Sequence, residues 1–172
     1  MAIMNILTYP DNFLRKTAKQ VQLIDDTVHK IIKDMAQTMR DASGTGLAAT
    51  QIGIDKSIMI YNIPSQDSEQ KYEPLINPKI LSSKCPKIFE NEGCLSIPDF
   101  RADVKRATSV IVEGLNKEGQ MINIEAEGLL AVVFQHEIDH LNGILFIDRL
   151  SPLKRDFYKK RLKKKMRNEE KI

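Results

Sequence analysis

The chain has 172 residues, of which 42% are hydrophobic and 28% are charged, enough for one globular domain with a sizeable core. This composition excludes an intrinsically disordered chain, and no apolar run reaches the roughly 18 residues that a membrane-spanning helix needs. The net charge of +3 is uneven, because residues 151–172 hold 10 Lys and Arg against 3 Asp and Glu. A mildly acidic body therefore carries a basic tail.

One amphipathic helix is predicted near the N-terminus. Apolar residues recur at helical spacing from Val28 to Met39, and Asp25 or Asp26 precedes them as a capping residue. The helix is expected to run to about Asp41, where a glycine-containing stretch ends it.

Short strands are predicted through the middle of the chain, separated by polar or proline-containing loops. The longest predicted loop covers residues 62–74, and a proline-bounded loop passes through Cys85. The last two strands flank residues 116–119, a glycine-containing segment of hairpin length. The predicted strands are residues 57–61, 79–82, 93–98, 108–115 and 121–127.

Two further helices are predicted in the C-terminal part. The first runs from Leu129 to Leu141 and is followed by an Asn-Gly pair typical of a helix end. The second begins at Ser151-Pro152 and is basic. The order of helix, strands, helix and basic helix, without a repeat or a linker, predicts a single α+β domain.

Residues 136–140, His-Glu-Ile-Asp-His, match the pattern H-E-x-x-H on the second long helix. Histidines four positions apart lie on one face of a helix, so His136 and His140 can bind the same metal ion. Glu137 stands beside that face and can take and return a proton at a metal-bound water. The alternative is a pair of structural histidines next to an incidental acid. The apolar residues that share the histidine face, and that would wall a cavity or fill the core, are Leu129, Val132 and Val133.

A third metal ligand is needed, and the two cysteines are the candidates. Cys94 would complete a three-ligand catalytic site that leaves one position open for water. Cys85 and Cys94 together with the histidines would instead make a closed, structural Cys₂His₂ site. The spacing of the cysteines is longer than the roughly two to four intervening residues usual in structural sites, and such a site gives Glu137 no role. We therefore favour Cys94.

A loop of small residues precedes the first predicted strand and contains Gln51. Glycine and alanine there allow another backbone to come close, and the amide of Gln51 can donate a hydrogen bond to a developing oxyanion. A simple turn into a helix is the alternative interpretation. A dinucleotide-binding loop is excluded, because the third glycine of that motif is missing.

Three motifs together resemble those of bacterial peptide deformylases. They are Gly-Thr-Gly-Leu-Ala-Ala-Thr-Gln at residues 44–51, Glu-Gly-Cys-Leu-Ser at residues 92–96 and Gln-His-Glu-Ile-Asp-His at residues 135–140. Their order and spacing are similar to those of the family along nearly the whole chain, and the cysteine form of the second motif resembles active members.

The resemblance implies a single α+β domain in which small antiparallel sheets surround a central H-E-x-x-H helix and a basic helix ends the chain. It implies a metal-dependent hydrolase that removes the formyl group from N-formylmethionine of nascent polypeptides and releases formate. The implied cofactor is one Fe²⁺ per chain, for which Zn²⁺, Ni²⁺ or Co²⁺ can substitute. Residues 1–150 would be the catalytic core, and residues 151–172 a basic helix or tail of the same domain.

The resemblance also assigns roles to individual residues. The implied metal ligands are Cys94, His136 and His140. Glu137 would be the general acid and base, while Gln51 and the backbone N–H of Leu95 would hold the oxyanion. Glu92 is expected to pair with Arg106 as structural support, and two separate surface charges are the alternative. The residues implied to bind the substrate are Thr45, Gly46, Arg101, Leu129, Val132 and Val133.

Two other functions compete with this one. A non-enzymatic ribosome- or RNA-binding protein would explain the basic tail, but the tail has no base-reading motif and a charged run is usually a solvated face. We therefore treat the tail as an accessory that docks on the ribosome, and expect its removal from about Arg155 to spare the catalytic core. A zincin-type endopeptidase is disfavoured, because Cys94 would be the third ligand and no downstream ligand motif follows.

The chain is expected to be a cytoplasmic monomer that binds neither DNA nor a membrane. Its N-terminal segment lacks the basic region and the long apolar stretch that are typical of a secretory signal.

Overall fold

The computed structural model describes residues 2–63 and 71–169 of the chain. In this part, five strands pair antiparallel into one sheet in the order β1-β2-β3-β4-β5, which with the helices confirms the α+β class. The resemblance implies several small sheets, and here they are continuous with one another. The strands are β1 (Gly46–Ala48), β2 (Ile58–Ile63), β3 (Lys71–Cys94), β4 (Ile97–Leu115) and β5 (Met121–Glu127). The helices are α1 (Asp26–Asp41), α2 (Gly128–Leu141) and α3 (Pro152–Glu169), and one-turn 3₁₀ helices cover Asn12–Arg15, Ala49–Ile52 and Phe146–Arg149.

Helix α1 forms where the hydrophobic periodicity predicts it. Asp25 caps its N-terminus, because the Asp25 carboxylate accepts a hydrogen bond from the backbone N–H of Val28. Met35 and Met39 lie on the face that the pattern marks as apolar, and both are completely buried. The predicted helix, including its end at Asp41, is confirmed.

Strand β2 is buried on both faces and separates two hydrophobic clusters. Successive side chains of a strand point to opposite faces of the sheet. Ile58 and Ile60 accordingly pack in a cluster with α1, while Met59 and Tyr61 pack in a cluster with α2. Helices α1 and α2 therefore cover opposite faces of the sheet.

Strands β3 and β4 form a long, bent hairpin that differs from the prediction. The predicted loop through Cys85 is wrong, because Cys85 lies within β3. The predicted strand at residues 93–98 is also wrong, since a turn at residues 95–96 separates β3 from β4. Four register shifts interrupt the pairing, and Cys85 and Asp99 adopt left-handed φ angles of 50° and 61°. Such bulges let a strand pass through prolines and bend.

The prediction of a loop at residues 62–74 is wrong at both ends. β2 extends to Ile63 and β3 begins at Lys71, and residues 64–70 lie outside the described residues. The predicted β4–β5 hairpin is confirmed, with the turn at residues 116–119 closed by a hydrogen bond from the Gly119 N–H to the Asn116 carbonyl.

Helix α3 starts at Pro152 as predicted and is anchored by Tyr158. This tyrosine is only 4% exposed, and its ring centroid lies 4.4 Å from that of Phe100 on β4. Tyr158 belongs to a third hydrophobic cluster, against which Phe100 and the side chain of Cys94 pack. The expectation that the tail is dispensable from Arg155 onward is therefore not supported. None of the helices in the described ranges is both long and apolar enough to cross a membrane.

Candidate metal centre

Three potential ligand atoms converge where β3 ends against α2. The sulfur of Cys94 and one ring nitrogen each of His136 and His140 lie within 4.8 Å of one another. The Sγ of Cys94 is 3.0 Å from Nε2 of His140. Cys85 is exposed and is not among the ligand atoms that cluster in the described part of the chain, so the closed Cys₂His₂ site is excluded.

The chemistry of these donors fits a divalent transition metal. One thiolate with two imidazoles is a donor set typical of zinc and of neighbouring metals. Burial lowers the pKa of His140 well below its ordinary value, which keeps the ring neutral and a nitrogen lone pair free. In His136 burial acts in the same direction, but hydrogen bonds with Cys94 and Glu92 outweigh it and raise the pKa.

A buried ion pair supports the ring of His136 from behind. Arg106 donates hydrogen bonds of 2.7 and 3.0 Å to the two oxygens of Glu92, so the alternative of two separate surface charges is wrong. Oε1 of Glu92 is 2.8 Å from Nδ1 of His136. Burial raises the pKa of Glu92, but the bonds from His136 and Arg106 outweigh it and lower the pKa to about 2. An ionised Glu92 holds the proton on Nδ1 of His136 and leaves Nε2 for the ligand cluster.

Glu137 is a buried carboxyl group with few partners to stabilise its negative charge. Its side chain lies beside the ligand cluster, and its Oε2 has no hydrogen-bond partner among the described residues. Burial raises its pKa to about 7. The carboxyl group fits only because residue 46 is glycine: a Cβ atom there would lie 2.5 Å from Oε1 of Glu137.

The amide of Gln51 is held in one orientation. Its Oε1 accepts a hydrogen bond of 2.8 Å from the backbone N–H of Ala48, so its Nε2 must point the other way. Nε2 donates to the hydroxyl of Ser96 at 3.2 Å and lies 3.7 Å from the sulfur of Cys94. The donor group of Gln51 is thus directed to the ligand cluster. Leu95, whose N–H is the other predicted oxyanion donor, lies in the turn between Cys94 and Ser96.

A cavity of about 840 Å³ lies in front of the ligand cluster. Val132 and Val133 are buried in its wall, but Leu129 is 68% exposed, because it belongs to the first turn of α2. The expectation that all three face inward therefore holds only for the valines. Arg101 is exposed and donates a hydrogen bond of 3.2 Å to the Asn91 carbonyl. The predicted substrate residues that line this cavity are Thr45, Gly46, Arg101, Leu129, Val132 and Val133.

The structure adds three residues that the sequence reasoning missed. Ser96 is completely buried and bonds to Gln51. Asp139 and Arg149 extend the ion pair behind His136. The position of Asp139, three residues after a metal-ligand histidine on the same helix, is a signal that could have been used. The contact of Arg149 depends on the fold, and no sequence pattern marks it.

Comparisons with known proteins agree with the geometry. Residues 3–156 match the family model of polypeptide deformylase. The chain is 47% identical over 167 residues to the peptide deformylase of Syntrophobacter fumaroxidans, covering 97% of this chain and 98% of that protein. It is similar to the crystal structure of a peptide deformylase from Legionella pneumophila, with a TM-score of 0.88, 46% identity and 99% of both chains covered. A class I type b peptide deformylase from Acinetobacter baumannii, whose crystal structure has Met-Ala-Ser bound, is similar with a TM-score of 0.79 and 34% identity, over 87% of this chain and 99% of that one.

Proposed function

The chain belongs to the polypeptide deformylase family of metal-dependent hydrolases, and on this premise we propose that it removes the formyl group from N-formylmethionine of nascent polypeptides. Water adds to the formyl carbon and the bond from that carbon to nitrogen breaks, which gives formate and a free α-amine. The observation that carries the proposal is the convergence of Cys94, His136 and His140 beside the buried carboxyl group of Glu137.

Cys94, His136 and His140 would hold one divalent metal per chain, and we propose Fe²⁺ as the physiological ion. Zn²⁺, Ni²⁺ and Co²⁺ suit the same donors. When bound, the metal supplies a Lewis acid that lowers the pKa of a water molecule and polarises a carbonyl oxygen.

Glu137 would move the protons. Its carboxylate takes a proton from the attacking water on Oε2, the oxygen for which the described residues offer no hydrogen-bond partner, and gives a proton to the leaving nitrogen. A group with a pKa of about 7 serves both steps near neutral pH, where a general acid and base is most efficient.

Gln51 and Leu95 would hold the negative charge that develops on the formyl oxygen. The Ala48 N–H and the Ser96 hydroxyl fix the Gln51 amide before substrate arrives. Donors that are already oriented in a buried site stabilise the transition state without reorganising. We propose Nε2 of Gln51 and the backbone N–H of Leu95 as the two donors.

The peptide would bind as an added strand along β1. This strand is at the edge of the sheet, so its outer backbone groups, apart from the Ala48 N–H that donates to Gln51, are available for main-chain hydrogen bonds that do not depend on sequence. Val132 and Val133 would contact the methionine side chain, with Leu129 and Thr45 at the opening of the cavity and Arg101 at its rim. The Met-Ala-Ser peptide bound to the relative from Acinetobacter baumannii supports a ligand of this kind.

We propose that residues 1–150 form the catalytic core and that α3 adds a docking surface for the ribosome. Phosphate groups of ribosomal RNA attract clustered cations. We also propose that the protein acts in the cytoplasm, where nascent chains are made, and that it acts there as a monomer. The exposed cations on α3 are Lys154, Lys159, Lys160, Arg161, Lys163, Lys164, Lys165 and Arg167.

The test is release of formate from formyl-Met-Ala-Ser by protein purified without oxygen, with metal analysis of the same sample. We expect turnover by the wild type, and at least about 100-fold less by Glu137→Gln, which keeps the shape of the side chain but cannot accept the proton. Acetyl-Met-Ala-Ser is the control substrate, because it has the same peptide and a larger acyl group. Absence of formate release from a metal-loaded wild type would refute the proposal, and cleavage of internal peptide bonds would favour the endopeptidase.

A further inference from the structure

We propose that Arg149 is a positioning residue for the metal ligand His136. It acts through the carboxylate of Asp139, which holds Arg106, and Arg106 in turn holds Glu92. The inference rests on the proposed metal-binding role of His136, and it concerns Arg149 and Asp139, which are not among the residues that line the cavity.

The connection consists of four consecutive charged contacts. Arg149, at the end of the 3₁₀ turn Phe146–Arg149, donates from Nε and from one terminal nitrogen to both oxygens of Asp139. Oδ2 of Asp139 also accepts a 2.5 Å hydrogen bond from Arg106. The two other donor groups of Arg106 hold both oxygens of Glu92, and Glu92 contacts Nδ1 of His136. Arg149 is thus linked to the ligand through shared hydrogen bonds.

Because the other three charged groups are buried, the charge of Arg149 matters to all of them. The side chains of Arg106, Glu92 and Asp139 are only 1%, 5% and 9% exposed, whereas that of Arg149 is 40% exposed. Two buried carboxylates share one buried guanidinium, so they would carry an unbalanced negative charge without Arg149. Buried charges need a partner and hydrogen bonds to keep one geometry. Arg149 provides both, and it does so from the protein surface.

Arg149 can change the position of Arg106 through Asp139, because both arginines donate hydrogen bonds to its carboxylate. Because Asp139 and His136 are three residues apart on α2, a fixed Asp139 and a fixed Arg106 hold Glu92 against the imidazole from one side. If Asp139 turns toward solvent, Arg106 loses one of its two carboxylate partners and Glu92 gains freedom. Groups that orient a ligand histidine typically change metal affinity by about 10- to 100-fold when altered.

The chain offers a matched control in the same turn. Arg15 forms a similar pair of hydrogen bonds with the carboxylate of Asp148, the neighbour of Arg149 in sequence. The side chain of Arg15 is 37% exposed, close to the 40% of Arg149. Arg15→Gln therefore removes an ion pair of the same kind from the same turn, but one that no hydrogen bond among the described residues links to His136. The charge of Arg15 contributes only the smallest of the effects that lower the pKa of His140.

The experiment compares wild type, Arg149→Gln, Arg149→Lys and Arg15→Gln as intact, zinc-loaded proteins. The first measurement is the rate at which zinc passes to an excess of chelator. The second is hydrogen exchange of the His136 Nδ1 proton by NMR, which is practical because the chain has three histidines. We expect Arg149→Gln to release zinc about 10-fold faster and to exchange this proton faster, with Arg149→Lys in between. Arg15→Gln should match the wild type in both, even if its melting temperature falls.

The possible results distinguish failure of the proposed function from failure of the positioning role of Arg149. If the wild type binds no metal, the proposed function fails and this inference fails with it. If the wild type binds zinc and Arg149→Gln equals Arg15→Gln in both measurements, only the positioning role is wrong. Slower zinc release from Arg149→Gln would also overturn it, because removal of a positive charge would then matter more than orientation. Should Arg149→Gln fail to fold, the comparison of Arg149→Lys with Arg15→Gln decides by the same two measurements.

Discussion

The contact between Gly46 and Glu137 gives a sharp test of the site, through the substitution Gly46→Ala. A Cβ atom at residue 46 would lie 2.5, 2.8 and 2.9 Å from three atoms of the Glu137 carboxyl end. Gly46 does not have a positive φ angle, so alanine is allowed by the backbone, and the effect comes from this contact alone. Ordinary contact distances begin at 3.4 Å, so the carboxyl group must move by about 1 Å, and the cavity is the open side.

The expected effect is on turnover rather than on folding. A displacement of about 1 Å in a catalytic group can cost about 100-fold in rate, which is about 2.7 kcal/mol of activation free energy. Overpacking costs about 1–3 kcal/mol of the free energy of unfolding, and the loss of glycine flexibility in the unfolded chain offsets up to about 1 kcal/mol of that. Gly46→Ala should therefore fold, bind metal and turn over about 100-fold more slowly.

The assay is kcat and KM for formyl-Met-Ala-Ser, with metal content and melting temperature measured on the same samples. Gly44→Ala is the control in the same loop, because its new Cβ would first meet Cδ1 of Leu95 and Cγ of Met39, at 3.0 and 3.2 Å, rather than the carboxyl group of Glu137. In a Glu137→Gln background, Gly46→Ala should have little further effect on kcat, since the proton acceptor is already lost. A rise in KM with unchanged kcat, or an equal loss in both backgrounds, would refute the reasoning and make Gly46 a peptide-binding position only.

Three further predictions concern the ligands, the metal and the tail. Cys94→Ser should lose metal and activity while Cys85→Ser keeps both, and metal release from Cys85→Ser in an elemental analysis would contradict the ligand set. The iron form should lose activity in air while a nickel form does not, because a ferrous ion beside a reachable thiolate invites oxidation; stable activity in air with iron confirmed would disprove this. Truncation after Leu162 removes four of the eight exposed cations named on α3, and should keep short-peptide activity while it weakens the salt-sensitive co-sedimentation with ribosomes. Truncation before Tyr158 should also lower the free energy of unfolding by about 3 kcal/mol. Equal, salt-insensitive sedimentation of full-length and truncated chains would refute the docking role.

The elements that the sequence predicts well are those whose pattern is local. The apolar stripe of α1 and its cap at Asp25 are contained within a few turns, and the β4–β5 hairpin is marked by its glycine turn. The three motifs likewise identify the ligand-bearing residues, because His136 and His140 are one helical turn apart in any context. Local information is sufficient in each of these cases.

Local sequence patterns do not predict the long hairpin of β3 and β4 in the same way. Prolines and the left-handed residues Cys85 and Asp99 suggest a loop, yet the residues on either side of these two pair with the neighbouring strand and keep the chain in the sheet. Tertiary pairing overrides local propensity in such strands. In α3, the many charged residues favour a solvated helix, yet Tyr158 and Leu162, four residues apart, pack on the third hydrophobic cluster. Their spacing is a helical signal that sequence reasoning could have used.

The position of the site relative to the core explains how its buried polar and charged side chains are held in place. Gln51 follows β1 in a turn anchored in the cluster of α1, and α2 presents His136 from the cluster on the other face of the sheet. Cys94 packs on the third cluster, to which Tyr158 of α3 belongs. The elements that carry Gln51, His136 and Cys94 are therefore each anchored in a different hydrophobic cluster, although the ring of His136 also stacks on Phe146 of the third cluster, and the cavity opens where the three meet. A buried carboxyl group with a pKa of about 7 needs such rigid supports, because a flexible Glu137 would turn toward water and lose the burial that raises its pKa. It follows that a cavity made in one cluster should disturb mainly the group that this cluster holds, so that core substitutions around Tyr158 affect the thiolate ligand before they affect the acid and base.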